Sequence, residues 1–296
     1  MTSTTITDLY PSRVGTEVSI SQRKDPVVYG QQLPGPLSDE QLKFFEENGY
    51  LFLESYFDEE EVRKLQDEMN RMLGEYKGSS KQEVVLEPDG DEVRSIFSVH
   101  QLNEIFRELP KQPKLQNAAK QILGSDVYLH QSRINFKPGF TGKEFYWHSD
   151  FETWHAEDGM PRMRAFSCSI ALTDNYPFNG PLMVMPGSHR QFISCIGKTP
   201  DDHYKSSLRK QEYGVPDEDS LKCMADQYGI EMPTGKAGSV LLFDCNILHG
   251  SNSNITPYPR SNVFMVFNSV ENKLEEPFSG TKPRPEYIAH RNQTQL

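Results

Sequence analysis

Apolar positions recur first at helical spacing and then, past the middle of the chain, at alternate residues. Residues 1 to about 36 are polar and end in Leu33-Pro34-Gly35-Pro36, which predicts an N-terminal arm, ordered only where it docks. Ser38-Asp39-Glu40-Gln41 has the form of a capping box, with Leu42, Phe44 and Phe45 behind it and Asn48-Gly49 as a stop, so a short helix is expected. Tyr50 to Leu53 suits a strand. Asp58 then opens a second helix whose Val62, Leu65, Met69 and Leu73 share one face before Gly74. A polar loop through Pro88-Asp89-Gly90-Asp91 leads to Ser95 to His100, and further helix, interrupted by Pro110 and Pro113, ends at Gly124.

From Val127 the period changes to two. In Tyr128 to Lys137 one face carries Gln131, Arg133, Asn135 and Lys137, and the other Tyr128, Ile134 and Phe136. Ala165 to Ala171 places Ala165, Ser167, Ser169 and Ala171 together, small side chains that leave room for a ligand or for close sheet packing. Turn signals at Asn179-Gly180 and Pro186-Gly187-Ser188-His189 flank a short strand at Leu182 to Met185. Residues 197–235, charged and turn-rich, read as an excursion outside the core. Ser239 to Phe243 and Val263 to Phe267 read as buried strands bracketing a loop with His249 and Arg260. The expected fold is mainly β with a helical buttress: a double-stranded β-helix (jelly roll, cupin-like) core over about 126–270, a helical part over about 37–125, and a C-terminal tail, all one domain from 37 to 296.

Composition narrows the function. Seventeen Phe, 13 Tyr, 20 Gly and 20 Pro suit short strands and turns. A net charge of −11 disfavours nucleic acid and anionic lipid as partners. No run has the roughly 18 apolar residues of a membrane span, and the start Met1-Thr2-Ser3 lacks the features of a signal peptide, so a cytoplasmic protein is expected. Cys168, Cys195, Cys223 and Cys245 are scattered, unlike a zinc knuckle or a disulfide framework.

The most reactive stretch is Phe145 to Pro161. On a strand, His148 and Asp150 would point to the same side and could offer a nitrogen and a carboxylate oxygen to one cation. A third ligand must come from elsewhere. Of the remaining histidines, His249 stands at the end of a buried strand, whereas His203 lies in the charged excursion and His290 near the polar terminus. Two histidines and a carboxylate make the facial triad of non-haem Fe(II) oxygenases, with positions left for a 2-oxo acid and O2. Arg260, eleven residues past His249, could grip the far carboxylate of 2-oxoglutarate in a bidentate pair, and by the period of two Phe264 shares its face. Similar ligands would serve a zinc hydrolase or a non-catalytic jelly-roll module, neither of which needs that arginine.

Phe145 to Pro161, with Ala156 in a variable slot, resembles the signature of the ectoine hydroxylases, within the phytanoyl-CoA dioxygenase-like group of Fe(II)/2-oxoglutarate oxygenases. Asn179-Gly180-Pro181-Leu182 and Pro186-Gly187-Ser188-His189 resemble elements of the wider group, and the similarity runs from about Leu37 to Asn268. The resemblance implies iron ligation by His148, Asp150 and His249. It implies 2-oxoglutarate contacts from Arg260, Ser251, Phe145 and Asn135, and a substrate pocket of Gln131, Trp154, Ser167, Phe97, Phe243 and Phe264, with plain core as the competing role for the last two phenylalanines. The implied reaction is hydroxylation of ectoine to 5-hydroxyectoine in compatible-solute biosynthesis under osmotic stress, with O2 consumed and succinate and CO2 released; another small zwitterionic substrate is the alternative. Asp150 stands where related halogenases have a small residue, which favours hydroxylation. A homodimer is compatible with this reading, with residues 197–235 or the arm as lid or contact.

Overall fold

The computed structural model describes residues 7–88, 90–208, 213–294 and 296; Asp89 of the predicted loop and the first six residues of the predicted arm lie outside these. The described residues form twelve strands: β1 (Ile20–Gln22), β2 (Tyr50–Leu53), β3 (Val84–Leu86), β4 (Val93–Phe97), β5 (Val127–Lys137), β6 (Phe145–His148), β7 (Ala165–Ala171), β8 (Leu182–Val184), β9 (Gln191–Ile193), β10 (Val240–Asp244), β11 (His249–Ser251) and β12 (Arg260–Ser269). A seven-stranded antiparallel sheet in the order β2-β10-β7-β12-β5-β4-β3 accompanies a three-stranded sheet in the order β6-β11-β8. Together they form the core of a double-stranded β-helix.

The pattern of two explains which side of the large sheet faces the helices. Ile134 and Phe136 of β5, Phe166, Cys168 and Ile170 of β7, and Val263, Met265 and Phe267 of β12 join one apolar core with Phe45, Leu65, Met69 and Met72 from the helices. The alternate residues Arg133, Asn135, Ser167, Ser169, Asn262 and Phe264 therefore face the other way, as sequence alternation requires. One residue breaks the count. Gln131 pairs with Val266 but Leu129 pairs with Phe267, so His130 is bulged out. Leu129 consequently joins the helix-side core, and Tyr128, expected on the face of Ile134 and Phe136, turns to the opposite one.

The helical buttress consists of α1 (Asp39–Asn48), α2 (Glu59–Tyr76), the short α3 (Val99–Leu102) and α4 (Glu104–Glu108), and α5 (Pro113–Leu123). Ser38 and Asp58 each close a capping box, and Gly49 ends α1 in the left-handed conformation that favours glycine. Gly74, read as a stop, lies inside α2, which runs on because Met72 and Tyr76 continue its buried face. Truncating Leu65 or Met69 to Ala should cost about 2–5 kcal/mol.

The arm docks. Its β1 pairs with β9, Tyr10 is fully buried, and Arg23 reaches Asp244 in a buried ion pair at 2.7 Å. Beyond β6 come α6 (Asp150–Thr153) and a π-helical turn over Trp154–Asp158, ended by Gly159 at φ 79°. Residues 197–235 contribute α7 (Tyr204–Ser207) and α8 (Glu218–Tyr228).

Candidate metal centre and cosubstrate pocket

β6 and β11 pair with His148 directly opposite His249, and Asp150 follows two residues on. The strand stops at His148. Ser149 caps α6 by accepting from the backbone of Glu152, and Asp150 is the first residue of that helix. The shared strand face expected for His148 and Asp150 is thus replaced by a strand-to-helix corner, which brings the carboxylate back towards the imidazole. Asp150 Oδ1 lies 3.6 Å from His148 Nε2 and 3.9 Å from His249 Nε2, and all three ligand atoms fall within 4.8 Å of one another.

Both imidazoles are oriented from behind. His148 Nδ1 donates to the carbonyl of Tyr146 at 2.7 Å and His249 Nδ1 to that of Ile247 at 3.0 Å, which leaves each Nε2 with its lone pair towards the centre. Ser167 donates to Asp150 Oδ2 at 3.2 Å. Burial works to raise the Asp150 pKa, but His249, His148 and Arg133 together hold it well below the usual carboxylate range. Burial pushes His249 down to about 4, with His148 adding to the effect and Asp150 opposing it. An ionised carboxylate beside neutral imidazoles is the donor set that a divalent iron needs.

Behind this centre lie three buried basic side chains. Arg260 opens β12 directly opposite Lys137 of β5, and Arg94 of β4 is buried nearby. Arg260 Nε and Nη1, and Arg94 Nε, have no hydrogen-bond partner among the described residues. Lys137 Nζ donates to Ser251 Oγ at 2.8 Å and to the carbonyl of Asn252. Burial lowers the Lys137 pKa to about 6, helped by Arg260 and Arg94 and opposed by Glu87 and Glu144. Burial and then Arg94 lower Arg260 to about 10. Burying guanidinium nitrogens without partners is costly, so two guanidiniums beside a buried amine fit an anion held between them.

A cavity of about 270 Å³ opens on the centre. His148, Asp150, Asn135, Phe145, Gln131, Phe97 and Trp154 line it. The other predicted residues, His249, Arg260, Ser251, Ser167, Phe243 and Phe264, stand outside that lining. Phe243 packs its ring 5.0 Å from that of His249 and 6.4 Å from Phe264, over which the Arg133 guanidinium lies at 4.8 Å. The sequence reading missed several wall residues. Arg133 follows from the alternation that places Gln131 and Asn135, and Glu157 lies within the stretch Phe145 to Pro161 though no role was assigned to it, whereas Arg94 and Arg284 carried no local signal. His203, Ser207, Leu208 and Tyr213 also line the cavity, so part of the excursion expected outside the core walls the site instead. His130 supports Trp154, with ring centroids 5.2 Å apart.

A double-stranded β-helix holding two histidines and a carboxylate in front of an arginine with two nitrogens unpartnered among the described residues is the architecture of a 2-oxoglutarate-dependent non-haem iron dioxygenase. The profile of the family described as Phytanoyl-CoA dioxygenase (PhyH) matches residues 45–262. The ectoine dioxygenase of Bordetella bronchiseptica is 59% identical over 285 residues, covering 96% of this chain and 92% of the relative. Among solved structures, EctD from S. alaskensis with 2-oxoglutarate and 5-hydroxyectoine superposes with a TM-score of 0.88 at 47% identity, covering 97% of this chain and 96% of that one. The same enzyme with bound Fe gives 0.86 at 46%, covering 97% and 95%. The chain belongs to the phytanoyl-CoA dioxygenase family and, within it, to the ectoine dioxygenases. No helix of the described residues is long and apolar enough to cross a membrane.

Proposed function

We propose that this protein hydroxylates ectoine to 5-hydroxyectoine, consuming 2-oxoglutarate and O2 and releasing succinate and CO2. The observation that carries the reading is Arg260: a buried guanidinium with two unpaired nitrogens, facing Lys137, behind a His-Asp-His cluster. Iron bound by His148, Asp150 and His249 would supply the oxidative decarboxylation of the 2-oxo acid and the oxidation of the substrate C–H bond.

The chain's own residues bind, orient and screen. Arg260 holds the distal carboxylate of 2-oxoglutarate, with Lys137 and Arg94 completing the positive surroundings and Ser251, Asn135 and Phe145 flanking the molecule. Ser95 donates to Asn135 Oδ1 at 2.8 Å and so fixes the direction of that amide. Ectoine is a zwitterion with a delocalised amidinium and a carboxylate. The carboxylate finds Arg133 and Arg284 in the wall, and the amidinium finds the faces of Trp154 and Phe97 with Glu157 alongside. Gln131, which accepts from Arg133 and donates to the carbonyl of Ile288 at 2.7 Å, anchors the C-terminal tail at this pocket. Phe243 and Phe264 then hold His249 and Arg133 in place from behind, and Ser167 holds Asp150.

The four free thiols suit a reducing cytoplasm, the location this reading assigns. Oxygen uptake by the iron-loaded protein tests the function: ectoine should accelerate uptake in the presence of 2-oxoglutarate, and equal uptake with and without ectoine would refute the assignment.

A further inference from the structure

The segment from Asp150 to Asp158 carries one of the three metal-ligand candidates and three cavity residues, Thr153, Trp154 and Glu157, on a single short helical stretch. Its other side is covered by the N-terminal arm. The Arg13 guanidinium, fully buried, donates from Nε and Nη2 to the two oxygens of Glu152 at 2.9 and 2.6 Å, and from Nη1 to Glu157 at 2.6 Å and to Thr199 at 3.0 Å. Nη2 also reaches Thr153 Oγ1 at 3.4 Å.

Neighbouring arm residues repeat the contact along the stretch. Ser12 donates to Glu152 at 2.6 Å, the Tyr10 ring meets Phe151 edge-on at 5.2 Å, and Asp8 lies 3.0 Å from His155 Nε2. Residues 8–13 thereby touch positions 151, 152, 153, 155 and 157. Arg13 itself sits at φ 59°, a conformation uncommon for a residue with a side chain, while its backbone N–H donates to the Cys195 carbonyl at 2.8 Å. Gly214, at φ 70°, closes over the ion pair where a larger side chain would collide with Arg13. Burial alone would raise the Glu152 pKa, but Arg13 and Ser12 hold it low, so the pair is ionic.

We propose that Arg13 is a positioning residue of the catalytic centre: through Glu152 and Glu157 it fixes the 150–158 segment, and with it the place of Asp150 and Trp154 relative to His148 and His249. A helix of one turn followed by a π-helical turn has little stiffness of its own, and the carboxylates of Glu152 and Glu157 would repel each other without the guanidinium between them. A bidentate fork on Glu152 and a single bond to Glu157, two and seven residues past Asp150, set both the rotation and the depth of the stretch.

The inference rests on the metal-centre reading and is tested with the full chain. Two variants serve: Arg13→Lys, which keeps the charge and loses the fork, and the charge-balanced Arg13→Gln/Glu152→Gln pair. Near-ultraviolet circular dichroism gives the folded fraction, calorimetry gives the affinity for Mn(II) added alone, and turnover with ectoine gives the ratio of succinate to 5-hydroxyectoine. The expected result is that the folded fraction of the double variant binds Mn(II) roughly 10- to 100-fold more weakly and releases more than one succinate per hydroxylation, with Arg13→Lys intermediate. Parent-like Mn(II) affinity and coupling in the folded variants overturn the proposal, as do losses that only follow the folded fraction. An unsubstituted protein that binds no Mn(II) overturns the metal-centre reading itself.

Discussion

His148 and His249 occupy one rung of the small sheet, paired across β6 and β11 with their rings 4.3 Å apart. Strand pairing, rather than proximity in sequence, therefore brings the two imidazoles together. His249→Ala removes one of the three candidate metal donors and one ring from against Phe243. Fe(II) should raise the melting temperature of the parent and leave that of the variant unchanged, because only binding to the folded state stabilises it. A metal-dependent shift in His249→Ala as large as the parent's would contradict the ligand assignment.

Arg260→Lys keeps a cation but loses the planar fork. The KM for 2-oxoglutarate should rise by about 10- to 100-fold, the equivalent of roughly 1.4–2.8 kcal/mol of lost hydrogen bonding, while the KM for ectoine changes little. Steady-state kinetics with each substrate varied in turn check this, and a selective effect on ectoine would count against it.

Lys137 gives a pH signature. With its pKa near 6 in the folded protein and 10.5 ordinarily, it binds fewer protons folded than unfolded between these values. Its contribution to stability therefore improves as pH rises from about 6 towards 10.5 and is least favourable below 6. A dicarboxylate held beside it stabilises the charged ammonium and raises its pKa. At pH 8, 2-oxoglutarate binding should take up a proton, seen as a dependence of the calorimetric heat on buffer ionisation enthalpy, and Lys137→Met should abolish the uptake. The same uptake in the variant would contradict the assignment.

Trp154, 2% exposed and edge-on to His130, forms cavity wall and local core at once. Trp154→Phe should raise the KM for ectoine several-fold and lower the melting temperature by a few degrees, through lost aromatic surface. Fluorescence-monitored melting and steady-state assays separate the two effects; an unchanged ectoine KM would remove Trp154 from the substrate pocket.

These expectations show where sequence sufficed. Alternation of apolar and polar residues is local, and it placed β5, β7 and β12 with their inward faces, including Gln131, Asn135 and Ser167. The capping boxes at Ser38 and Asp58 were equally local. Asp150 escaped the strand reading because the corner at Ser149 is set by a cap that the His-x-Asp spacing does not reveal. Tyr128 escaped because a bulge at His130 shifts the count by one. Arg94, Arg284 and Arg13 reach the site by tertiary packing alone, from β4, the C-terminal tail and the arm, and no pattern within their own segments marks them.

The central claim is tested most directly by mass spectrometry of the reaction itself, with iron-loaded protein, 2-oxoglutarate, O2 and ectoine. The expected result is a product one oxygen atom heavier than ectoine, identical to 5-hydroxyectoine, formed with one succinate per molecule and only when iron and 2-oxoglutarate are both present. Ectoine recovered unchanged by a folded, iron-loaded protein that still turns over 2-oxoglutarate would contradict it.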